Sequence, residues 1–203
     1  MIALLAISTT SMAQSMKCPD NKHPHMIDLG LPSGTKWACC NLGASNPYNW
    51  GDTYQWGETT ISEENANSDT YDFYDSKTKT FKDIGENISG TKYDAARAKW
   101  GGKWRMPTKE EMNELLSNCT LELKEKKGTP IYVFKAKNKA SICFPMNFFT
   151  EDGIGDIIVL TNYWTATQSE SLFLGPSEIG DEEFKEVLGL SRESNCYIRP
   201  VCK

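Results

Sequence analysis

The stretch Trp100-Gly-Gly-Lys-Trp-Arg-Met-Pro-Thr-Lys-Glu-Glu-Met112 constrains the fold of this chain more than any other. Thr108 followed by Glu111 is a capping box: the hydroxyl accepts from a backbone N–H at the helix start, and the carboxylate accepts from the N–H of the cap residue. Met112, Leu115, Leu116 and Cys119 then recur at helical spacing, so a helix from about Pro107 to Asn118 buries one face. Pro107 and the pair Gly101-Gly102 keep the preceding segment out of that helix. Upstream, Asp94 to Trp100 predicts a shorter helix with Gly101 at its C-terminal end. Neither helix brings a catalytic group.

Strand-forming runs flank this helical centre. His25-Met-Ile-Asp-Leu-Gly30 and Lys36-Trp-Ala-Cys-Cys-Asn-Leu42 read as short strands joined by a turn at Pro32-Ser-Gly34. On such a strand the adjacent Cys39 and Cys40 point to opposite faces. Ile131 to Ala136, Ser141 to Phe144, Tyr163 to Thr167, Leu172 to Leu174 and Tyr197 to Cys202 are further strands, with a hairpin turn at Asn138-Lys139. Asn46 to Trp56 reads as a long loop with packed aromatics, and Thr59 to Asn87 as an irregular polar insertion. Glu178 to Leu190 is either helical, with Phe184, Val187 and Leu188 on one face, or an ordered loop. Strands, then helices, then strands within 203 residues predict a single α+β domain.

Residues 1–13, ending Ser11-Met12-Ala13, carry the apolar and cleavage regions of a secretory signal, without a basic leader. Gln14 is then the expected mature start, residues 14–25 a polar lead-in, and 26–203 the domain. Seven cysteines suit an oxidising compartment, so the expected location is extracellular, at the cell surface or periplasmic. No later apolar run is long enough to predict a membrane span. A net charge of -5 with scattered basic residues excludes an electrostatic footprint for nucleic acid.

The chemistry-bearing residues are few. His23 and His25 are the only histidines, and nothing nearby completes a ligand set, so no metal or other cofactor is expected. No C-x-x-C pair and no Gly-x-Ser-x-Gly elbow is present. Asp52 and Glu58 have the residue types of a glycosidase acid and base; alternatively, both satisfy backbone donors in a loop. Tyr48, Trp50, Tyr54 and Trp56 cluster around Asp52 in one loop, and Tyr71, Phe73 and Tyr74 in another. Aromatic faces of this kind bind sugars or proteins when exposed and build the core when not. Trp37, Trp100, Trp104 and Trp164 are read as core.

Five blocks in order are similar to one family. Asp28-Leu-Gly-Leu-Pro-Ser-Gly-Thr-Lys-Trp-Ala-Cys-Cys-Asn-Leu-Gly-Ala44 resembles the opening block of the Fibrobacter succinogenes major paralogous domain, abundant in Bacteroidetes. Gly51-Asp52 with Trp56-Gly-Glu-Thr-Thr60, then Trp100 to Thr108 with Asn118-Cys-Thr120, resemble its next two. Tyr163-Trp-Thr-Ala-Thr167 and Ile198-Arg-Pro-Val201 resemble its closing blocks. Phe144-Pro-Met-Asn-Phe-Phe149, Asn195 and the segment between Thr167 and Arg192 depart from the family pattern. The resemblance implies a C-type-lectin-like fold: small twisted antiparallel sheets, two short helices and long irregular loops. It also implies a non-catalytic binding module for a glycan, or for a host or surface protein. The alternatives are a polysaccharide-acting enzyme and a structural component of a surface assembly. The copper-binding cysteine pair of formylglycine-generating relatives and the calcium motifs of true lectins have no counterpart here. The family's cysteine positions further imply a Cys40–Cys119 disulfide; Cys18 and Cys202, both near the chain ends, are a second candidate pair.

Overall fold

The capping box opens a helix where it is expected. Thr108 Oγ1 accepts from the Glu111 N–H at 3.3 Å, and Glu111 Oε2 accepts from the Thr108 N–H at 3.1 Å. This starts α2 (Lys109–Asn118), while Asp94 caps α1 (Ala95–Trp100) by accepting from the Arg97 N–H at 3.0 Å. The computed structural model describes residues 26–63, 66–146, 149–150, 157–158, 161–176 and 183–203. The expected signal and lead-in segments, with Cys18, His23 and His25, lie outside them.

Fifteen strands accompany the two helices among these residues. The first five are β1 (Met26–Ile27), β2 (Lys36–Ala38), β3 (Thr53–Tyr54), β4 (Tyr74–Asp75) and β5 (Thr80–Phe81). After the helices come β6 (Cys119–Lys126), β7 (Thr129–Ala136), β8 (Ser141–Pro145), β9 (Phe149–Thr150) and β10 (Ile157–Ile158). The last five are β11 (Thr161–Trp164), β12 (Glu170–Pro176), β13 (Glu183–Gly189), β14 (Cys196–Tyr197) and β15 (Val201–Cys202). One sheet, ordered β1-β2-β15, brings the first and last described strands together. A second, β13-β12-β11-β14-β3, is antiparallel except where β11 runs parallel to β14. The third is the antiparallel meander β6-β7-β8, and two short pairs, β4-β5 and β9-β10, complete the set.

The two main cores follow from this layout. Met112 and Leu115 of α2 pack with Tyr132, Phe134, Phe144 and Tyr163, while Leu116 and Cys119 are only partly buried at the margin. Alternation along β7 and β8 supplies this face: Tyr132, Phe134, Ile142 and Phe144 point inward. A second cluster joins Trp56, Trp164, Ile88, Met106 and Ile198 to the alanines of α1. Trp37 and Trp104 are also buried, and half-buried Trp100 meets Trp104 edge-on at 5.4 Å.

Three expectations need correction. The described part of 178–190 is neither helix nor loop: β13 pairs with β12 along seven residues, from Glu170↔Gly189 to Pro176↔Glu183. Cys39 and Cys40 are not on a strand with opposed faces; they follow β2 in a bend and share one small buried cluster with Ala44. The expected Cys40–Cys119 disulfide is absent, and no two described cysteines are bonded to one another. The two residues belong to different packing units, Cys40 to the Ala44 cluster and Cys119 to the margin of the α2 core.

Candidate functional site

Beyond β2 the chain makes a closed loop over the outer face of the β6-β7-β8 sheet. Its base is pinned where the Leu42 N–H donates to Ile198 O and the Asp52 N–H donates to Leu42 O, each at 2.9 Å. Asn46 organises the interior, accepting from the Tyr48 N–H on its side chain at 2.9 Å and from the Asn49 N–H on its carbonyl at 3.3 Å. Two glycines are sterically required. Gly43 and Gly51 both have φ of +79°, and a Cβ would stand 2.1 Å from Asp52 Oδ2 at the first and 2.3 Å from Leu42 O at the second.

The loop encloses a cleft of about 440 Å³, lined by Tyr48, Asn49, Trp50 and Asp52 with Thr129 of β7 opposite. Trp50 is fixed at both ends. Its carbonyl accepts from Asn41 Nδ2 at 2.7 Å, and its indole Nε1 donates to Met146 O at 2.7 Å. The residue is still 40% exposed and lines the cleft, so its polar edge is satisfied while the residue stays open to the cleft. Asn41 itself is buried. Its second amide proton goes to the Tyr163 hydroxyl at 3.2 Å, and its Oδ1 accepts from Arg199 Nε at 2.8 Å.

Arg199 lies wholly inside the protein. Its guanidinium donates to Ala38 O at 3.1 Å and Cys143 O at 2.7 Å, and sits 4.5 Å above the Phe144 ring. No carboxylate among the described residues forms an ion pair with it. Carbonyl dipoles and a ring face therefore solvate this charge. Burial pushes the neighbouring Tyr163 phenol well above its ordinary pKa, with Arg199 opposing that shift.

Of the five residues proposed for ligand contact, the structure gathers Tyr48, Trp50 and Asp52 in the cleft. It removes Tyr54 and Trp56, which are 1% and 0% exposed. Tyr54 is consumed by β3, and its phenol titrates above its usual value through burial and the Asp52 carboxylate beside it. The Trp56 indole donates to Thr165 O at 3.0 Å, and Arg192 covers the ring at 5.2 Å. Glu58 does not line the cleft with Asp52. It is buried and accepts from the Asp72 N–H at 2.8 Å, and burial raises its carboxyl pKa. In the second aromatic group Tyr71 is buried, its hydroxyl donating to Trp56 O at 2.6 Å, while Phe73 and Phe81 pack against it and Tyr74 packs on Phe81. No three His, Cys, Asp or Glu side chains among the described residues form a metal-binding group. No helix among them is long and apolar enough to cross a membrane.

Asn41, Asn49 and Thr129 were not foreseen as site residues. Asn41 stands in the opening sequence block, but its type and position carry no hint that it braces Trp50. No family model, curated protein or solved structure matches the chain.

Proposed function

We propose that this chain is an exported, non-catalytic binding module of the Fibrobacter succinogenes major paralogous type, with a C-type-lectin-like fold, and that it recognises a glycan in the Trp50 cleft. The observation that carries this reading is the anchored indole: its N–H and the residue's carbonyl are both satisfied within the protein while the residue stays 40% exposed in the cleft. The C–H face of a sugar ring packs on such a surface, and the hydroxyls around it need donors and acceptors at its margin. Asp52 supplies an acceptor there, and Asn49 supplies both kinds. Because Trp50 is held before the ligand arrives, little side-chain freedom is lost on binding. The joining of β1, β2 and β15, which brings the first and last strands together, is in keeping with the lectin-like reading.

A glycan array with the mature protein, followed by titration calorimetry on the sugars retained, tests the proposal. Trp50→Ala is expected to weaken binding about tenfold or more while leaving the thermal midpoint within a few degrees, since the ring is partly exposed. An array without binders, or a Trp50→Ala protein that binds as well as the parent, overturns it.

A further inference from the structure

On the far side of Tyr48 lies a second depression, of about 410 Å³, and Tyr48 lines both. Its size falls within the roughly 300–1,000 Å³ usual for small-ligand sites. Its apolar surface comes from Ile27, Pro47 and Val133, with buried Ile131 beneath, and Lys124 and Lys126 stand along one side. Pro47 is tied to the sheet beneath through its carbonyl, which accepts from Cys143 Sγ at 3.3 Å.

Hairpin register sets the order of these groups. Lys126 pairs with Thr129, Lys124 with Ile131 and Glu122 with Val133, and residues two apart on a strand share a face. Thr129 already lines the Trp50 cleft. Moving along β7 from the cleft, the surface therefore passes Thr129 with Lys126 beside it, then Ile131 with Lys124 beside it, and then Val133. Lys126 forms no ion pair with a carboxylate among the described residues. Lys124 pairs with Glu122, but both are well exposed, and such a pair is readily exchanged for another anion.

We infer that cleft and groove together take an anionic glycolipid: the sugar on Trp50, a phosphate at Lys126 and Lys124, and an alkyl chain against Ile27, Pro47 and Val133. The sugar end rests on the glycan reading above; the anion and alkyl ends rest on the groove. A plain fatty acid fits less well, because the Lys126 ammonium group is level with Thr129, at the junction with the sugar cleft. That is where the link between a sugar and its lipid falls.

Titration calorimetry with decyl phosphate, kept below its critical micelle concentration, tests the groove against inorganic phosphate as reference. Decyl phosphate should bind about tenfold or more tighter than inorganic phosphate, because the chain leaves water. The double change Lys124→Glu and Lys126→Glu, at two exposed positions, should weaken decyl phosphate binding about tenfold or more, and Val133→Glu should do the same. Equal affinity for the two phosphates, or indifference to the lysine changes or to Val133→Glu, overturns the assignment. Failure of decyl phosphate with glycan binding intact rejects the groove alone. Failure of glycan binding with decyl phosphate retained rejects the Trp50 reading alone, and with it the sugar end.

Discussion

Glu111→Ala should cost this protein about 3–5 kcal/mol, because one carboxylate holds three segments together. Arg105 donates to it through both terminal nitrogens, at 2.7 and 2.6 Å. Thr35 donates its hydroxyl proton at 2.7 Å, and the Thr108 N–H completes the set at 3.1 Å. Removing one partner of a buried pair costs about 3–5 kcal/mol. The side chain of Arg105 is 21% exposed and keeps bonds to Ser89 Oγ and Met106 O, which places its share near the low end. Buried Thr35 then loses its acceptor, adding about 1–3 kcal/mol, and these contributions overlap because they share one side chain.

Burial alone would raise the Glu111 carboxyl pKa, but Arg105, Thr108 and Thr35 outweigh it and hold the group below the ordinary value. A depressed folded-state value means the stabilisation is complete above the unfolded pKa of about 4.3 and is lost as pH falls through the folded one. Urea denaturation of both proteins at about pH 7 and about pH 3 reads the difference, which should narrow in acid. A cost under about 1 kcal/mol at neutral pH, or a gap that stays constant into acid, would refute the reasoning.

Leu115→Ala, at a position with no exposure, should cost about 2–5 kcal/mol and Leu116→Ala distinctly less; equal costs in urea would mean α2 is rotated from the face described. Gly43→Ala should lower the thermal midpoint and weaken glycan binding, since a Cβ would stand 2.1 Å from Asp52 Oδ2; undiminished binding would remove Asp52 from the contact set. Non-reducing peptide mapping should recover no peptide linking Cys40 to Cys119, and a linked peptide would contradict the separate clusters in which they lie.

What the sequence disclosed was what short-range chemistry decides. The α2 cap, the α1 cap and the Asn138-Lys139 turn depend on neighbours within four residues, and all three appear where expected. The strand β6 was missed because its second half, Lys124-Glu-Lys126, is exposed and charged and becomes a strand only through eight pairings with β7. For β13, the spacing of Phe184, Val187 and Leu188 also suits a helix, and pairing with β12 decides the matter. At the site, residue types pointed to Trp50 and Asp52, but Trp56 has the same type and neighbourhood. Only the acceptor on Thr165, 109 residues away, and the cover from Arg192 separate it from Trp50.

The Asn41–Arg199 bond spans 158 residues, and so gives the cleft a birth date. At translation rates of about 5–20 residues per second, Asn41 leaves the ribosome's catalytic centre roughly 8–30 s before Arg199 is added. Until then the amide that braces Trp50 has no buried guanidinium to align it, and β2 has no β15 beside it. The nascent protein therefore carries the aromatic loop without the support that shapes it. A chain cut short before Arg199 therefore keeps every residue of the loop and loses the guanidinium that aligns its brace.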